Sequence, residues 1–246
     1  MKNRLILLAS VSFTLLCKIA SVEASQPECL ATSLKAQYKI VKANNSNVEL
    51  NLIRNNREVA HQYPQTQITE AWQLNANNQI KPIRFFDQHE RAIEYQPGEK
   101  IHGRTETDWN YRFQLMNSNM LSQFVNITSQ GTGCEQIEYK TFSNEHVELS
   151  LVWMPLQQLV KEFRVTDKSS NQQVEHWQLQ HVSYEKSQIE QFFSQRYHYN
   201  ATDFADIGDD HTDPFLTQML NLGFIEHASS GFYNQNGHAI SGSHSH

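Results

Sequence analysis

The sequence predicts a mainly β protein, built as a single curved antiparallel sheet or half-barrel with two or three short helices. Two observations support this fold class. About ten segments alternate apolar and polar residues with period two, the pattern of strands with one packed and one solvated face. The connections between them are short polar clusters such as residues 44–47 and 167–171, too short for the helical crossovers that parallel strands need.

The clearest predicted strand covers residues 108–115, in which four large apolar residues alternate with polar ones. A second strong alternation covers residues 147–153. The other strands are predicted around Tyr38/Ile40, Val48/Leu52, residues 70–74, Ile83/Phe85, Ile93/Tyr95, Ile137/Tyr139, Phe163/Val165 and Trp177/Leu179. The many aromatic side chains of these strands are predicted to form the core, with the lining of a ligand cavity as the alternative.

Helices are predicted over residues 117–126, 186–196 and 214–222. In the second of these, Ser187 and Glu190 have the spacing of a capping box. The last helix is the best delimited, because Asp213 can cap its start and Pro214 suits its first position. Gly223 then suits the left-handed residue that ends many helices.

The N-terminus predicts export. Residues 1–24 have a basic start, an apolar run of about 12 residues and a small-x-Ala ending, which together are typical of a secretory signal peptide. The remainder is interpreted as a single mostly β domain over 25–233, followed by a flexible, His-containing tail over 234–246. No second apolar run approaches membrane length, so we expect no integral membrane segment after cleavage. The expected compartment is the periplasm, with secretion from the cell as the alternative.

Charge and motifs exclude several function classes. The 246 residues carry 20 basic and 26 acidic side chains, a formal charge of −6, which argues against a nucleic-acid binder. No Gly-x-Ser-x-Gly elbow or Gly-rich phosphate loop is present.

Four scattered arginines are predicted to lie on a solvated sheet face, with an anion site as the alternative: Arg84, Arg91, Arg104 and Arg112.

Two cysteines remain after the signal peptide. Cys29 and Cys134 are predicted to form one disulfide, because paired cysteines are the simplest state in an exported chain. A reactive thiol at Cys134 is the alternative.

The C-terminal part of the chain is rich in potential metal ligands. Five of the 12 histidines lie in its last 36 residues, and five aspartates lie between residues 203 and 213. Imidazoles with carboxylates suit a divalent metal such as zinc or copper. The candidate ligands are His211, His227, His238, His244, His246, Asp209 and Asp210. The alternative is an acidic loop whose Asp213 caps a helix.

One segment supports a resemblance to a known type of protein. Residues 151–155 (Leu-Val-Trp-Met-Pro) and 161–165 (Lys-Glu-Phe-Arg-Val) resemble the strand–turn–strand pair of periplasmic, LolA-like lipoprotein carriers. The signal peptide, the predicted meander and the late helices resemble the same architecture. This resemblance implies a binder of hydrophobic cargo, and it transfers no functional residues to this chain.

The sequence therefore predicts an exported, non-enzymatic binding protein for an apolar ligand, a lipid or another envelope protein. A periplasmic metal-binding accessory protein is the second hypothesis. A hydrolase of unknown class is the third, and it requires a pocket that places a His within hydrogen-bonding reach of a carboxylate.

Overall fold

The computed structural model describes residues 29, 31–101, 104–207, 212–223, 232–233 and 239–240. At its centre lies a curved, unclosed sheet of 12 strands, which confirms the predicted fold class. The predicted signal peptide lies outside the described residues, as does most of the predicted tail. The division into one domain over 25–233 stays a prediction.

The strands of the large sheet fall into two runs along the chain. The first run is β1 (Ser33–Lys42), β2 (Asn47–Asn55), β3 (Glu58–Tyr63), β4 (Ile68–Leu74), β5 (Ile80–Phe86) and β6 (Arg91–Glu94). The short strands β7 (Lys100–Ile101) and β8 (Arg104–Thr105) pair with each other outside this sheet. The second run is β9 (Val125–Gln130), β10 (Ile137–Ser143), β11 (Val147–Met154), β12 (Leu159–Asp167) and β13 (Gln172–Ser183). A last strand, β14 (Asn200–Asp203), precedes the small β15/β16 pair at Phe232–Tyr233 and Ala239–Ile240.

The spatial order of the strands is β14-β6-β5-β4-β3-β2-β1-β13-β12-β11-β10-β9. Two antiparallel meanders therefore meet where β13 pairs with β1. All neighbouring pairs in this sheet are antiparallel except β14 and β6, which makes the sheet mixed. The connection from β6 to β9 has to cross from one end of the sheet to the other, and it carries the first two helices.

Four α-helices lie among the described residues: α1 (Trp109–Gln114), α2 (Ser118–Gln123), α3 (Lys186–Arg196) and α4 (Pro214–Asn221). The predicted helices over 117–126, 186–196 and 214–222 correspond to α2, α3 and α4. The N-cap of α4 is confirmed, since Asp213 accepts from the amide of Phe215 at 2.8 Å, and Gly223 has the left-handed φ of 73°. The predicted capping box of α3 is not formed, because its N-cap is Glu185, without a side-chain capping bond.

The predicted strand over 108–115 is wrong, because this segment forms α1. Asp108 accepts a hydrogen bond from the amide of Tyr111 at 2.9 Å, and Leu115 ends the helix with φ 61°. The same residues also contain an i,i+4 aromatic pair, Trp109 and Phe113, whose ring centroids lie 6.1 Å apart. The cap and this aromatic pair favour a helix. They outweigh the apolar/polar alternation of 108–115, which over so few residues is also compatible with a short helix.

Packing divides the sheet into two faces. We call the face that carries Leu52 and Trp72 the front face, and the face that carries Ile53 and Phe85 the back face; cross-strand register assigns each residue. On the front face, α1 and α2 complete the largest core cluster. Helix α4 adds Leu216 and Met219 to a second front-face cluster over β4, β5 and β6. Helix α3 covers the back face of strands β2 to β6.

Candidate functional site

A fully buried arginine joins three parts of the chain. Arg54 continues the inward alternation of β2, and its guanidinium donates to the carbonyls of Phe113 (2.6 Å) and Gln157 (2.6 Å). It also donates to the carbonyls of Ala31 (2.9 Å) and Gln158 (2.7 Å). Burial lowers the pKa of Arg54 to about 9, so the group stays charged at neutral pH. Arg54 thus ties the N-terminal segment, the end of α1 and the β11–β12 turn together.

A second set of buried polar groups fixes α1 against β3 and β4. The Nε2–H group of His61 donates to the carbonyl of Arg112 at 2.7 Å. The guanidinium of Arg112 lies 4.2 Å from the ring centroid of Trp72 and donates to Glu106 at 2.5 and 2.8 Å. Burial, with Arg112 nearby, lowers the pKa of His61 to about 3. Burial also opposes the charge on Arg112, but Glu106 and Glu70 outweigh it and raise the pKa of Arg112.

A cleft of about 140 Å³ lies beside these groups, between β4, β5 and the segment that leads into α1. Its lining carboxylates are all engaged within the chain. Glu70 accepts from Arg84 at 2.6 Å, Glu106 binds Arg112, and Asp108 caps α1. Its described lining therefore offers no uncommitted carboxylate to act as a general base.

One polar group in the cleft lining lacks a partner among the described residues. The hydroxyl of Tyr95 is buried and makes no hydrogen bond there. Burial raises the pKa of Tyr95, so the hydroxyl stays protonated and can donate to a water or a small polar molecule.

The exposed aliphatic side chains of the sheet lie at the opposite end. Strand β9 is the terminal strand, and all six of its residues are exposed. Val125 is 62% exposed and Ile127 63%. β9 contains no charged residue and no proline. We call β9 and β10 together the open end of the sheet.

No helix among the described residues covers the back face of the open end. Cross-strand register places Val125 opposite Thr141 and Tyr139 opposite Val152, all on the back face. These residues lie beyond the strands that α3 covers. On the front face, Phe124 anchors the start of β9, with its ring centroid 6.2 Å from that of Phe142. Among the described residues, the open end is therefore held in place and left accessible.

The structure contains the predicted disulfide. Cys29 and Cys134 are bonded across 105 residues of sequence, with their Cα atoms 5.6 Å apart. The bond fixes the N-terminal segment beside the turn that follows β9. The alternative of a reactive thiol at Cys134 is thereby set aside.

The proposed metal ligands cannot be placed. They lie outside the described residues: His211, His227, His238, His244, His246, Asp209 and Asp210. In the part of the chain that the structure describes, no three His, Cys, Asp or Glu side chains gather in a metal-binding arrangement. Two neighbouring aspartates have structural roles, since Asp213 caps α4 and binds Arg91 at 2.6 Å, and Asp203 accepts from the amide of Ala205 at 3.0 Å. Metal binding stays a prediction.

The expectation for the four arginines is wrong for two of them. Arg84 and Arg112 are buried on the front face, where each binds a carboxylate, rather than exposed on a solvated face. The alternation did not reveal this because each arginine has a glutamate partner that offsets its burial.

Sequence reasoning missed Arg54, His61 and Glu106. A signal for Arg54 was present, because it continues the inward series of Leu50 and Leu52 at the same spacing. The predicted aromatic core is confirmed, since Trp72, Trp153 and Trp177 are buried in the front-face cluster. Trp153 and Trp177 pack within the protein, whereas Trp72 also lines the cleft.

No family model matches the chain, and no curated protein matches it. Solved structures resemble it at low identity and with low TM-scores. PNGF-II is 11% identical over 69% of this chain, with a TM-score of 0.39, and the chain spans 30% of that protein. The MucA/MucB complex of Pseudomonas aeruginosa is 9% identical over 65% of this chain and 58% of the other, with a TM-score of 0.36. A Vibrio parahaemolyticus domain assigned to outer membrane lipoprotein sorting is 4% identical, with a TM-score of 0.31. The match covers 67% of this chain and 92% of that domain.

These likenesses concern the architecture of the sheet alone, and no functional argument rests on them. They include a lipoprotein-sorting domain, the type of protein that the sequence resembles. None of the helices among the described residues is long and apolar enough to cross a bilayer.

Proposed function

We propose that this chain is an exported, non-enzymatic binding protein that engages a protein partner at the open end of its sheet. The observation that carries the proposal is the exposure of Val125 and Ile127 on an uncharged terminal strand. Contiguous exposed apolar side chains, unlike single scattered ones, mark protein-binding surfaces. The Cys29–Cys134 disulfide and the predicted signal peptide support a periplasmic location.

A protein partner is favoured over an enclosed apolar ligand. A ligand beneath α1 and α2 would have to displace Leu115, Met116 and Phe124, which are buried against the front-face core. The carbonyl bonds of Arg54 and His61 hold α1 in that position. The surface at β9 requires no such displacement.

Site-specific photo-crosslinking in intact cells of the native host tests this function. A photoreactive residue at position 127 should give a discrete adduct whose protein component mass spectrometry identifies. The matched control is the same residue at position 222, because Leu222 is 53% exposed on the end of the molecule that carries α4.

The identified partner, once purified, should bind a Val125→Lys/Ile127→Lys variant about tenfold more weakly or worse, since central apolar contacts dominate interface energies. An adduct that forms at position 222 but not at 127 would contradict the proposal. So would unchanged affinity of the double variant.

A further inference from the structure

One edge of β9 pairs with no strand in the part of the chain that the structure describes. Among the described strands β9 pairs with β10 alone, so apart from the bulge at Ile127 its alternate backbone N–H and C=O groups point away from the sheet. Proteins usually protect such edges with charges, proline, β-bulges, very short strands or a covering element. The other edge of this sheet follows that rule, because β14 has only four residues and includes Asp203. β9 is longer and uncharged, and within its six residues the only such device is the bulge at Ile127, between Asn126 opposite Lys140 and Thr128 opposite Tyr139.

The size of this edge indicates what kind of partner it fits. Two copies of the chain joined through β9 would pair six residues on each side. A stable interface between two folded proteins takes about 20–30 residues on each side. An added peptide strand needs much less, because main-chain hydrogen bonds supply affinity and alternate side chains supply specificity.

The chemistry around β9 indicates the composition of such a strand. Val125 and Ile127 are two residues apart and strongly exposed, so they favour aliphatic or β-branched residues at alternate positions of the partner. Lys140 and Glu138 on β10 neutralise each other at 2.8 Å. The whole chain carries a formal charge of −6, which disfavours an acidic partner at long range.

We infer that β9 accepts an extended polypeptide segment as a thirteenth strand, and that this segment is uncharged at its centre with aliphatic residues at alternate positions. This inference rests on the proposed function and specifies how the partner binds. The partner contributes a flexible or terminal segment that becomes ordered on the edge of the sheet. Binding then extends the sheet without moving α1, α2 or the core.

A labelled synthetic peptide tests the inference directly. The probe is a fluorescent octapeptide, Ser-Val-Thr-Ile-Thr-Val-Thr-Ser, blocked at both ends, and binding to the full mature chain is followed by anisotropy. Two N-methylated versions serve as matched controls, each with three alternate amides blocked. One set of alternate amides faces β9 and the other faces solvent. Blocking the facing set should weaken binding about tenfold or more, because three hydrogen bonds are lost, while blocking the other set should change it little.

The Val125→Lys/Ile127→Lys variant should also lose the peptide, and an unchanged urea midpoint would show that it is still folded. Absence of binding up to about 1 mM, which corresponds to the weakest useful affinity, would overturn the inference. Equal binding of both N-methylated peptides would overturn strand addition and leave side-chain docking. A dimer joined through β9 and detected by analytical ultracentrifugation would also overturn the inference, because the occupant of the edge would then be a second copy of the chain. An adduct at position 127 with no peptide binding would leave the proposed function standing and reject only this mode.

Discussion

Acid should destabilise the protein through His61. The buried imidazole is neutral in the folded state, and its pKa is lowered from 6.5 to about 3. Below about pH 6.5 the unfolded chain binds a proton at His61, whereas the folded protein does so only below about pH 3. Stability that is present above pH 6.5 is therefore lost as the pH falls through this window. At pH 5 the loss from this one group is about 2 kcal/mol, at about 1.4 kcal/mol for each pH unit.

Urea unfolding at pH 7 and pH 5, with the disulfide intact, measures this loss. Carboxylates also titrate in this range, so the comparison needs a variant that lacks only the imidazole. His61→Gln keeps a side-chain N–H that can donate to the Arg112 carbonyl, and its free energy of unfolding should fall about 2 kcal/mol less between the two pH values than that of the wild type. His181→Gln, at an exposed position of β13, is the matched control and should retain the full pH dependence. Equal pH dependence of His61→Gln and wild type would refute the reasoning.

Three further substitutions test the supports of the site. Arg54→Lys keeps the charge but cannot reach four carbonyls, so its free energy of unfolding in urea titration should fall by about 2–4 kcal/mol. The control is Arg57→Lys in an exposed turn, which should change the free energy of unfolding by less than about 1 kcal/mol. Gly131→Ala should lower the thermal midpoint more than Gly133→Ala, because both have positive φ but only the first places a Cβ 2.6 Å from the Glu135 carbonyl. Asp213→Ala should lower stability by about 1 kcal/mol in the same titration, through loss of the cap of α4.

Each of these comparisons has an outcome that contradicts it. Equal losses for Arg54→Lys and Arg57→Lys would mean that the buried carbonyl bonds contribute nothing beyond an exposed contact. Equal midpoints for the two glycine variants would reject the close approach at Gly131. An unchanged Asp213→Ala protein would show that the ends of α4 are held by other contacts.

Much of the sheet could be predicted because its strands bury one face. β1 and β11 have inward residues at period two, as does β2 as far as Leu52, and that alternation is what the sequence displays. β9 could not be found in this way, since all six of its residues are exposed and neither face is distinguished. The predicted helix over 117–126 accordingly continued into β9. The parallel addition of β14 beside β6 carried no signal either, because it joins segments more than 100 residues apart in sequence.

The buried polar groups around α1 were harder to predict from the sequence than the fold. The inward position of Arg54 followed from the alternation of β2, but its partners Phe113 and Gln157 lie 59 and 103 residues away. Glu106 and Arg112 are close in sequence, yet the segment between them was expected to be a strand, which would have separated them from the front face. Only the packed positions of α1, β3 and β4 bring these groups together.

Amide hydrogen exchange along β9 tests the central claim most directly. In the free protein, the amides of Val125–Gln130 that face away from β10 should exchange rapidly, as in an unprotected edge. The crosslinked partner, or the octapeptide in its place, should slow these amides about tenfold or more and leave those of α4 unchanged. Protection of β9 already in the free monomer, or protection on binding that appears elsewhere and spares β9, would contradict the account.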